Sequence, residues 1–379
     1  MSLASSIGSA LIGTGGKAME VAVKLWNTVC TGEGSLLNSY LSTNPAAGDA
    51  QYGIHTAYKL VSEGSSIWNI GMAIGGALVV FYFFAGWLKN AINVRDDINL
   101  ENIWKFIIRV MLIELLLVNI PNLYKEFMTI GYAITNTVAG ETKPLPSASE
   151  YASKTGGFKT NYTMNDLKLE DKNKCYSYKD ANGYSHTVTS KDLERVGLDS
   201  SDEQSFVEYL NKHQATKSAN DYGYFCGIQN QLEGSKTSDG EWLSAGGICL
   251  LGGLLGAIVI IVSTISLVTA VISRMFRVLI SIPFAPAALA GFAGGQEYSQ
   301  RGMAWIRSFI GFLLEAIVIL LAINICGAMF SSGADASLIK EGNGTAGVLA
   351  SIMNMVIPVT VTTAVAGGAD TLIRKIIGF

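Results

Sequence analysis

Residues 245–272 read AGGICLLGGLLGAIVIIVSTISLVTAVI, a run without any charged side chain. The hydrocarbon core of a bilayer is about 30 Å thick, and a helix of about 20 residues crosses it. This run is therefore long enough to span a membrane. Four further runs have the same apolar character, although two of them contain charged residues. The five predicted spans are Ile67–Leu88, Ile103–Ile120, Ala245–Ile272, Trp305–Phe330 and Gly347–Ala366.

The charged residues are concentrated in one part of the chain. Of the 57 Lys, Arg, Asp and Glu residues among 379, 28 lie in residues 141–243. The whole chain is 49% hydrophobic and 15% charged, with a net charge of −3. That composition argues against a basic soluble nucleic-acid-binding protein and against a disordered chain. It predicts an all-α polytopic membrane protein with five transmembrane helices and a small polar insert.

A sixth apolar segment, VLISIPFAPAALAGFA at Val278–Ala293, is short for a span and contains Pro283 and Pro286. Proline lacks an amide hydrogen, so it bends or breaks a helix. We interpret this segment as re-entrant or broken, and an ordinary kinked span is the alternative. Non-helical backbone is tolerated at membrane depth only where protein or a water-filled cavity covers it.

Basic residues in short loops predict the orientation, because cytoplasmic loops carry an excess of Lys and Arg. If Val278–Ala293 does not cross, nine of them fall on one side of the membrane. These are Lys89, Arg95, Lys105, Arg274, Arg277, Arg301, Arg307, Arg374 and Lys375. The N-terminus and the insert are then outside, and the C-terminus is cytoplasmic.

This orientation predicts four regions. They are an extracytoplasmic or interfacial helical region at 1–66, spans one and two at 67–120, the extracytoplasmic insert at 121–243, and spans three to five at 244–379 with the re-entrant segment 278–293. The first region shows helical periodicity over residues 3–29, with Lys17, Glu20 and Lys24 on its polar side. Such a helix suits the membrane interface, and packing on the protein's own domain is an equal alternative.

The insert contains two cysteines, Cys175 and Cys226. Outside the cytoplasm a pair of this kind is a disulfide candidate. Two free buried thiols are the alternative. Glycine pairs four residues apart, such as Gly71 and Gly75, predict close approach of helices within the membrane.

Four charged residues lie within the predicted spans: Arg109, Glu114, Arg307 and Glu315. A charge in hydrocarbon is costly and marks either a pair or a pathway. One interpretation is a structural pair between helices, such as Glu114 or Glu315 with Arg109. The other is that these side chains line a conduit. Arg307, Gly311 and Glu315 recur every four residues and form one stripe along their helix.

Signatures of common enzyme chemistry are missing from the sequence. The chain contains no GxxxxGK[ST], HExxH, CxxC or GxSxG motif. None of its three histidines pairs with a second ligand at a spacing typical of metal sites. We therefore predict a protein that is not an enzyme and has no cofactor and no metal site.

The stretch Arg274–Phe330 carries a family resemblance. It reads RMFRVLISIPFAPAALAGFAGG and, after a short polar turn, GMAWIRSFIGFLLEAIVILLAINICGAMF. Together with five spans and a large outer loop between the second and the third, it resembles the Gram-positive branch of the TrbL family. That family belongs to type IV secretion and conjugation systems, and it is the polytopic counterpart of the sixth VirB component.

The resemblance implies a multi-pass channel or scaffold subunit in the cytoplasmic membrane of a Gram-positive bacterium. Such a subunit helps to form the passage for a DNA–protein substrate. The implied partners are other secretion-system membrane subunits, a secretion ATPase and, transiently, single-stranded DNA or its protein pilot. Five helices leave no lumen for DNA, so a homo-oligomer is expected. A stand-alone secondary transporter and a membrane-anchored protein acting through its outer insert are the alternatives.

Overall fold

In the computed structural model the chain is mostly helical. The structure describes residues 3–31, 35–42, 54–62, 64–93, 100–139, 142, 144–155, 162–171, 175–179, 185–234, 238–294, 296–331 and 345–378. The helices are α1 (Leu3–Cys30), α2 (Leu36–Ser42), α3 (Ile54–Val61), α4 (Ser66–Asn93), α5 (Leu100–Ala139), α6 (Ala148–Thr155), α7 (Ser190–Glu194), α8 (Glu203–Glu208), α9 (Gln214–Tyr222), α10 (Cys226–Gly234), α11 (Asp239–Leu289), α12 (Gln296–Ser331) and α13 (Thr345–Ile377). The strands are β1 (Leu167–Asp171), β2 (Cys175–Lys179) and β3 (Ser185–Val188).

Among the described residues, five helical segments are long and apolar enough to cross a membrane. They are Ala57–Leu88, Ile107–Val138, Asp239–Gly294, Tyr298–Phe330 and Ile352–Ile376. Each contains or overlaps one of the five predicted spans. The predicted all-α polytopic membrane fold is therefore confirmed.

Two proline positions differ from the prediction. We expected the second span to end at Pro121, but α5 continues through it to Ala139, so the insert starts later than residue 121. Pro283 and Pro286 lie inside α11, which stays helical to Leu289 and ends in a 3-10 turn at Ala290–Gly294. The segment interpreted as broken is thus the end of a 51-residue helix. A helix of that length extends about 76 Å, more than twice the hydrocarbon thickness.

Two side chains donate hydrogen bonds to carbonyl groups near the two prolines. The Ser281 hydroxyl donates to the Val278 carbonyl at 2.7 Å, and the Trp305 indole donates to the Ser281 carbonyl at 3.3 Å. The carbonyls that lose their helical donors are different ones, those of Leu279 and Ile282, four residues before each proline. Each proline removes one backbone hydrogen bond and leaves the others, and in hydrocarbon no water competes for them, so the helix continues.

The chain divides into two compact units. The first contains Met1–Thr31, Lys143–Ile265 and Ile323–Thr363. The second contains Gly32–Thr142, Ser266–Ala322 and Ala364–Phe379. This division differs from the four consecutive regions predicted from composition, because α11, α12 and α13 are long enough to contribute residues to both units.

In the first unit, α1 packs against other helices of the protein. Of the two interpretations of residues 3–29, this agrees with packing on the protein's own domain. A Cβ atom added to Gly8 would lie 2.5 Å from the Trp242 carbonyl oxygen of α11. Two turns further along α1, Gly15 contacts Gly253 of α11. A Cβ atom added to Gly253 would lie 2.5 Å from the Gly15 carbonyl oxygen. Only glycine permits backbones this close. Trp26 and Met19 on the same helix are fully buried.

From residue 143 onward the polar insert belongs to the first unit, and it has its own small core. The strands form an antiparallel sheet in the order β1-β2-β3, with Leu167 opposite Tyr178 and Tyr178 opposite His186. Asp202 caps α8 by accepting from the Gln204 amide at 3.1 Å. The buried side chains of this core are Tyr162, Leu167, Tyr176, Tyr178, Val188, Leu193, Phe206, Val207, Tyr209 and Leu210.

In the second unit, α4 packs against the end of α11. Gly71 lies directly against the Pro283 carbonyl oxygen, and a Cβ on Gly75 would lie 2.6 Å from Cβ of Pro286. The pair Gly71 and Gly75 therefore brings two helices close together, as predicted. The following 3-10 turn, Ala290–Gly294, also packs along α4. The buried core of this unit includes Trp68, Leu117, Leu289 and Phe309.

We expect Gly75→Ala to destabilise the protein by about 1–3 kcal/mol, because the new methyl group overlaps the Pro286 backbone. The measurement is the thermal unfolding midpoint of the protein purified in detergent. Gly76→Ala is the matched control, since a Cβ on Gly76 meets nothing within 4 Å. Equal midpoints for the two variants would contradict the close contact.

Candidate functional site

A chain of ion pairs joins three helices in the second unit. Arg277 on α11 donates through Nη2 to Oε1 of Glu315 on α12, at 2.8 Å. Its Nη1 lies 3.2 Å from Oδ2 of Asp370 on α13. Asp370 in turn accepts from Nε of Arg374, one turn further along α13, at 3.0 Å. Arg277 is thus the cation that both carboxylates share.

Burial decreases along this chain of charges. The Glu315 side chain is 3% exposed, whereas those of Arg277 and Asp370 are 33% and 34% exposed. A buried carboxylate requires a partner, because hydrocarbon and packed side chains do not solvate a charge. Arg277 supplies that partner from a position that is itself partly open.

The arginine side chains are held by α12. Arg274 is 4% exposed, and its Nε donates to the Phe312 carbonyl oxygen at 2.7 Å. The Arg277 guanidinium lies over the Phe312 ring, 5.7 Å from its centroid, which is within the range of cation–π attraction. Three arginines and two carboxylates therefore meet on these three helices, and the local balance of formal charge is positive.

Two polar atoms of this cluster are buried without a hydrogen-bond partner in the part of the chain that the structure describes. They are Nε of Arg277, a donor, and Oε2 of Glu315, an acceptor. Polar atoms in this state are rare in folded proteins and often mark a functional or strained position. The hydrogen bonding of the Arg277–Glu315 pair is therefore incomplete among the described residues.

The structure brings only one of the four predicted residues into this cluster. Glu315 is buried in it, but Arg109, Glu114 and Arg307 are all exposed. The predicted pairing of Glu114 or Glu315 with Arg109 is wrong for Glu315, whose partner is Arg277. The stripe from Arg307 to Glu315 does not hold either, because eight residues turn a helix by about 80° from the starting face.

Sequence reasoning missed Arg277, Asp370, Arg274 and Arg374 as site residues. Arg274, Arg277 and Arg374 were counted only among the basic residues that predict the orientation in the membrane. One available signal was Asp370, the single acidic residue of α13. Its spacing to Arg374, four residues later, predicts an ion pair within the helix, but the sequence does not reveal its second partner, Arg277 on α11.

The cysteines of the insert are not bonded to each other. Both Cys175 and Cys226 are free in the structure, so the alternative of two free thiols applies. Cys226 begins α10 and is fully buried, and burial raises the pKa of its thiol to about 12. Cys175 begins β2 and is half-buried.

No family model matches the sequence, and comparisons with curated proteins and with solved structures also find no match. In the ranges that the structure describes, no group of three or more His, Cys, Asp or Glu side chains is arranged to hold a metal ion. The ion-pair cluster is therefore the candidate site that the geometry itself supports.

We expect Glu315→Gln to lower the free energy of unfolding by about 1–3 kcal/mol. Breaking a fully buried ion pair costs about 3–5 kcal/mol, and the loss is smaller here because Arg277 is partly exposed and keeps Asp370. Thermal unfolding in detergent measures the effect. Arg307→Gln, an exposed position on the same helix, should stay within about 0.5 kcal/mol of the wild type. A midpoint for Glu315→Gln equal to that of Arg307→Gln would refute the buried pair.

We also expect brief treatment of the folded protein with N-ethylmaleimide at pH 8 to modify Cys175 alone. The thiolate is the reacting form, and Cys226 stays protonated and buried even at pH 9. Cys30, Cys249 and Cys326 are buried as well. Intact mass measurement should show one label, against five after denaturation. Rapid labelling of Cys226, or a mass two units lower from a disulfide, would contradict this arrangement.

Proposed function

We propose that the protein is a non-enzymatic channel or scaffold subunit of a type IV secretion machine for conjugative DNA transfer. The observation that carries the proposal is the order of its parts. Two apolar helices precede a folded polar insert, and three apolar helices follow it. The TrbL family, which the stretch Arg274–Phe330 resembles, has the same layout.

The proposal places the protein in the cytoplasmic membrane of a Gram-positive bacterium. The N-terminus and the insert face outward, and the C-terminus faces the cytoplasm, in line with the Lys and Arg residues near the ends of the other spans, such as Lys105, Arg301 and Lys375. Arg274 and Arg277 do not add to this support, because they lie within α11 rather than in a loop. The packing of α1 on the insert and on the first half of α11 supports a common location for these parts, since all of them belong to one compact unit.

Other membrane subunits and a secretion ATPase are the proposed partners. A passage for single-stranded DNA requires several copies of this chain, because its helices pack closely at glycine positions such as Gly15 and Gly75. Contact with the DNA or with its protein pilot is brief in this proposal. The residues outside 141–243 are almost neutral in total charge, whereas tight binding of single strands needs a positive groove.

The alternative of a secondary transporter receives less support. That class typically has discontinuous helices in matched positions. The candidate for such a helix was Val278–Ala293, and it is the continuous end of α11 up to Leu289.

We expect deletion of the gene to abolish DNA transfer from the host to recipient cells, and the intact gene supplied in trans should restore it. The measurement is the number of transconjugants per donor. Complementation with Glu315→Gln should restore transfer poorly if the helices form the passage, whereas Arg307→Gln should restore it fully. Western blotting of membranes controls for equal amounts of each variant.

Unchanged transfer in the deletion strain would exclude the proposed function. Full transfer with Glu315→Gln at a normal membrane level would instead favour a protein that acts through its outer insert alone.

A further inference from the structure

A polar cleft of about 330 Å³ lies between α1 and the end of α9, within the first unit. Its volume falls at the small end of the range for ligand pockets, about 300–1,000 Å³. The lining residues are Ser6, Ser9, Ala10, Gly13, Thr14, Lys17, Asp221 and Tyr222. Hydroxyl groups and two opposite charges therefore dominate the cleft.

Glycine contacts fix the two walls relative to each other. A Cβ on Gly13 would lie 3.0 Å from the Asp221 carbonyl oxygen, and Gly16 lies directly against the Tyr222 carbonyl oxygen. The hydroxyls of Ser9 and Tyr222 also share a hydrogen bond of 2.9 Å across the cleft. The cleft is thus built into the fold rather than formed by loose side chains.

The charges of the cleft are placed for a ligand. Neither Lys17 nor Asp221 has an ion-pair partner among the residues that the structure describes, whereas Lys24 on the same helix pairs with Glu20 at 2.6 Å. Asp221 lies in the last turn of α9. A helix C-terminus disfavours an acid and attracts a cation, so Asp221 and the end of α9 together form a cation-seeking wall.

The opposite wall of the cleft, formed by α1, carries hydroxyl groups and the positive charge of Lys17. Ser6, Ser9 and Lys17 all line the cleft from α1, with Lys17 about 12 Å along the helix from Ser9. A phosphate accepts hydrogen bonds both from an ammonium and from hydroxyl groups. The ligand therefore carries a phosphate at one end and an ammonium at the other.

Exposed apolar side chains lie on α1 before and after the cleft. Leu3, Ile7, Val21 and Leu25 are 39–81% exposed. At 100° per residue they fall within about 40° of one another and form an apolar stripe that is interrupted by the cleft residue Thr14. A polar cleft bordered by exposed apolar side chains on a helix is the pattern of a surface that meets lipid.

We propose that this cleft binds the headgroup of a zwitterionic phospholipid of the phosphatidylethanolamine type. The ammonium meets Asp221, the phosphate meets Lys17 and the hydroxyls of α1, and an acyl chain lies against Val21 and Leu25, which follow Lys17 along the helix. An anionic headgroup leaves Asp221 unpaired, and a purely cationic ligand leaves Lys17 unpaired. The zwitterion satisfies both charges, and the apolar stripe favours a lipid over a free soluble zwitterion. This inference does not depend on the proposed secretion function.

The test uses the full-length protein purified in detergent and titrated with single lipids under native mass spectrometry. The probes are phosphatidylethanolamine, phosphatidylglycerol and the soluble headgroup glycerophosphoethanolamine. We expect the wild type to bind phosphatidylethanolamine about tenfold more tightly than phosphatidylglycerol, as one added charged hydrogen bond provides. We expect it to bind glycerophosphoethanolamine more weakly as well, because this headgroup has no acyl chain to contact the apolar side chains. Asp221→Asn should remove the preference over phosphatidylglycerol, and Lys17→Gln should weaken binding of both lipids.

Two controls remove the same charges elsewhere. Lys24→Gln acts on the same helix, and Glu194→Gln removes an exposed acid from the insert; both should bind like the wild type. Circular dichroism of every variant controls for folding. Equal affinity for the two lipids in the wild type, or a preference that survives Asp221→Asn, would overturn the proposal. Glycerophosphoethanolamine binding as tightly as the lipid would also overturn it, in favour of a soluble zwitterion.

Discussion

Close contact between helix backbones at glycine is the interaction on which both units depend. Lipid tails are as apolar as leucine side chains, so helices in a membrane associate through tight packing rather than through the hydrophobic effect. Gly15 and Gly253 provide that packing in the first unit, and Gly71 and Gly75 provide it in the second. At each of these positions a single methyl group would collide with backbone or with proline. The insert is placed by the same means, because Gly16 of α1 lies against the Tyr222 carbonyl oxygen.

Glycine contacts set the distances between helices, and the charges then set which helices share a site. Glu315 cannot remain ionised among apolar side chains without a cation. Arg277 provides the cation and also binds Asp370, so one guanidinium connects α11, α12 and α13. Arg274 adds a hydrogen bond to the backbone of α12. The cluster therefore connects the three helices, and a change of charge at Arg277 would weaken contacts to both α12 and α13.

The membrane class and the five apolar helices were predictable because they follow from local composition. Length and hydropathy of a run decide whether it can cross hydrocarbon, and neighbours elsewhere in the chain do not alter that. Proline was the exception to local reasoning. Pro121, Pro283 and Pro286 were read as interruptions, but α5 and α11 continue through them. Each proline removes one backbone hydrogen bond, and the remaining bonds hold the helix together where no water competes for them.

The sequence by itself determined an apolar helical framework, a separate polar insert and the presence of charges that must be satisfied. Only the tertiary structure decided which charges meet. Glu315 pairs with Arg277 rather than with Arg109, and Cys175 and Cys226 stay apart as free thiols. The physical reason is that partners separated by tens of residues depend on the rotation and crossing of whole helices. Those are set by contacts such as Gly75 against Pro286, in which neither residue carries a charge or a motif that points to the other.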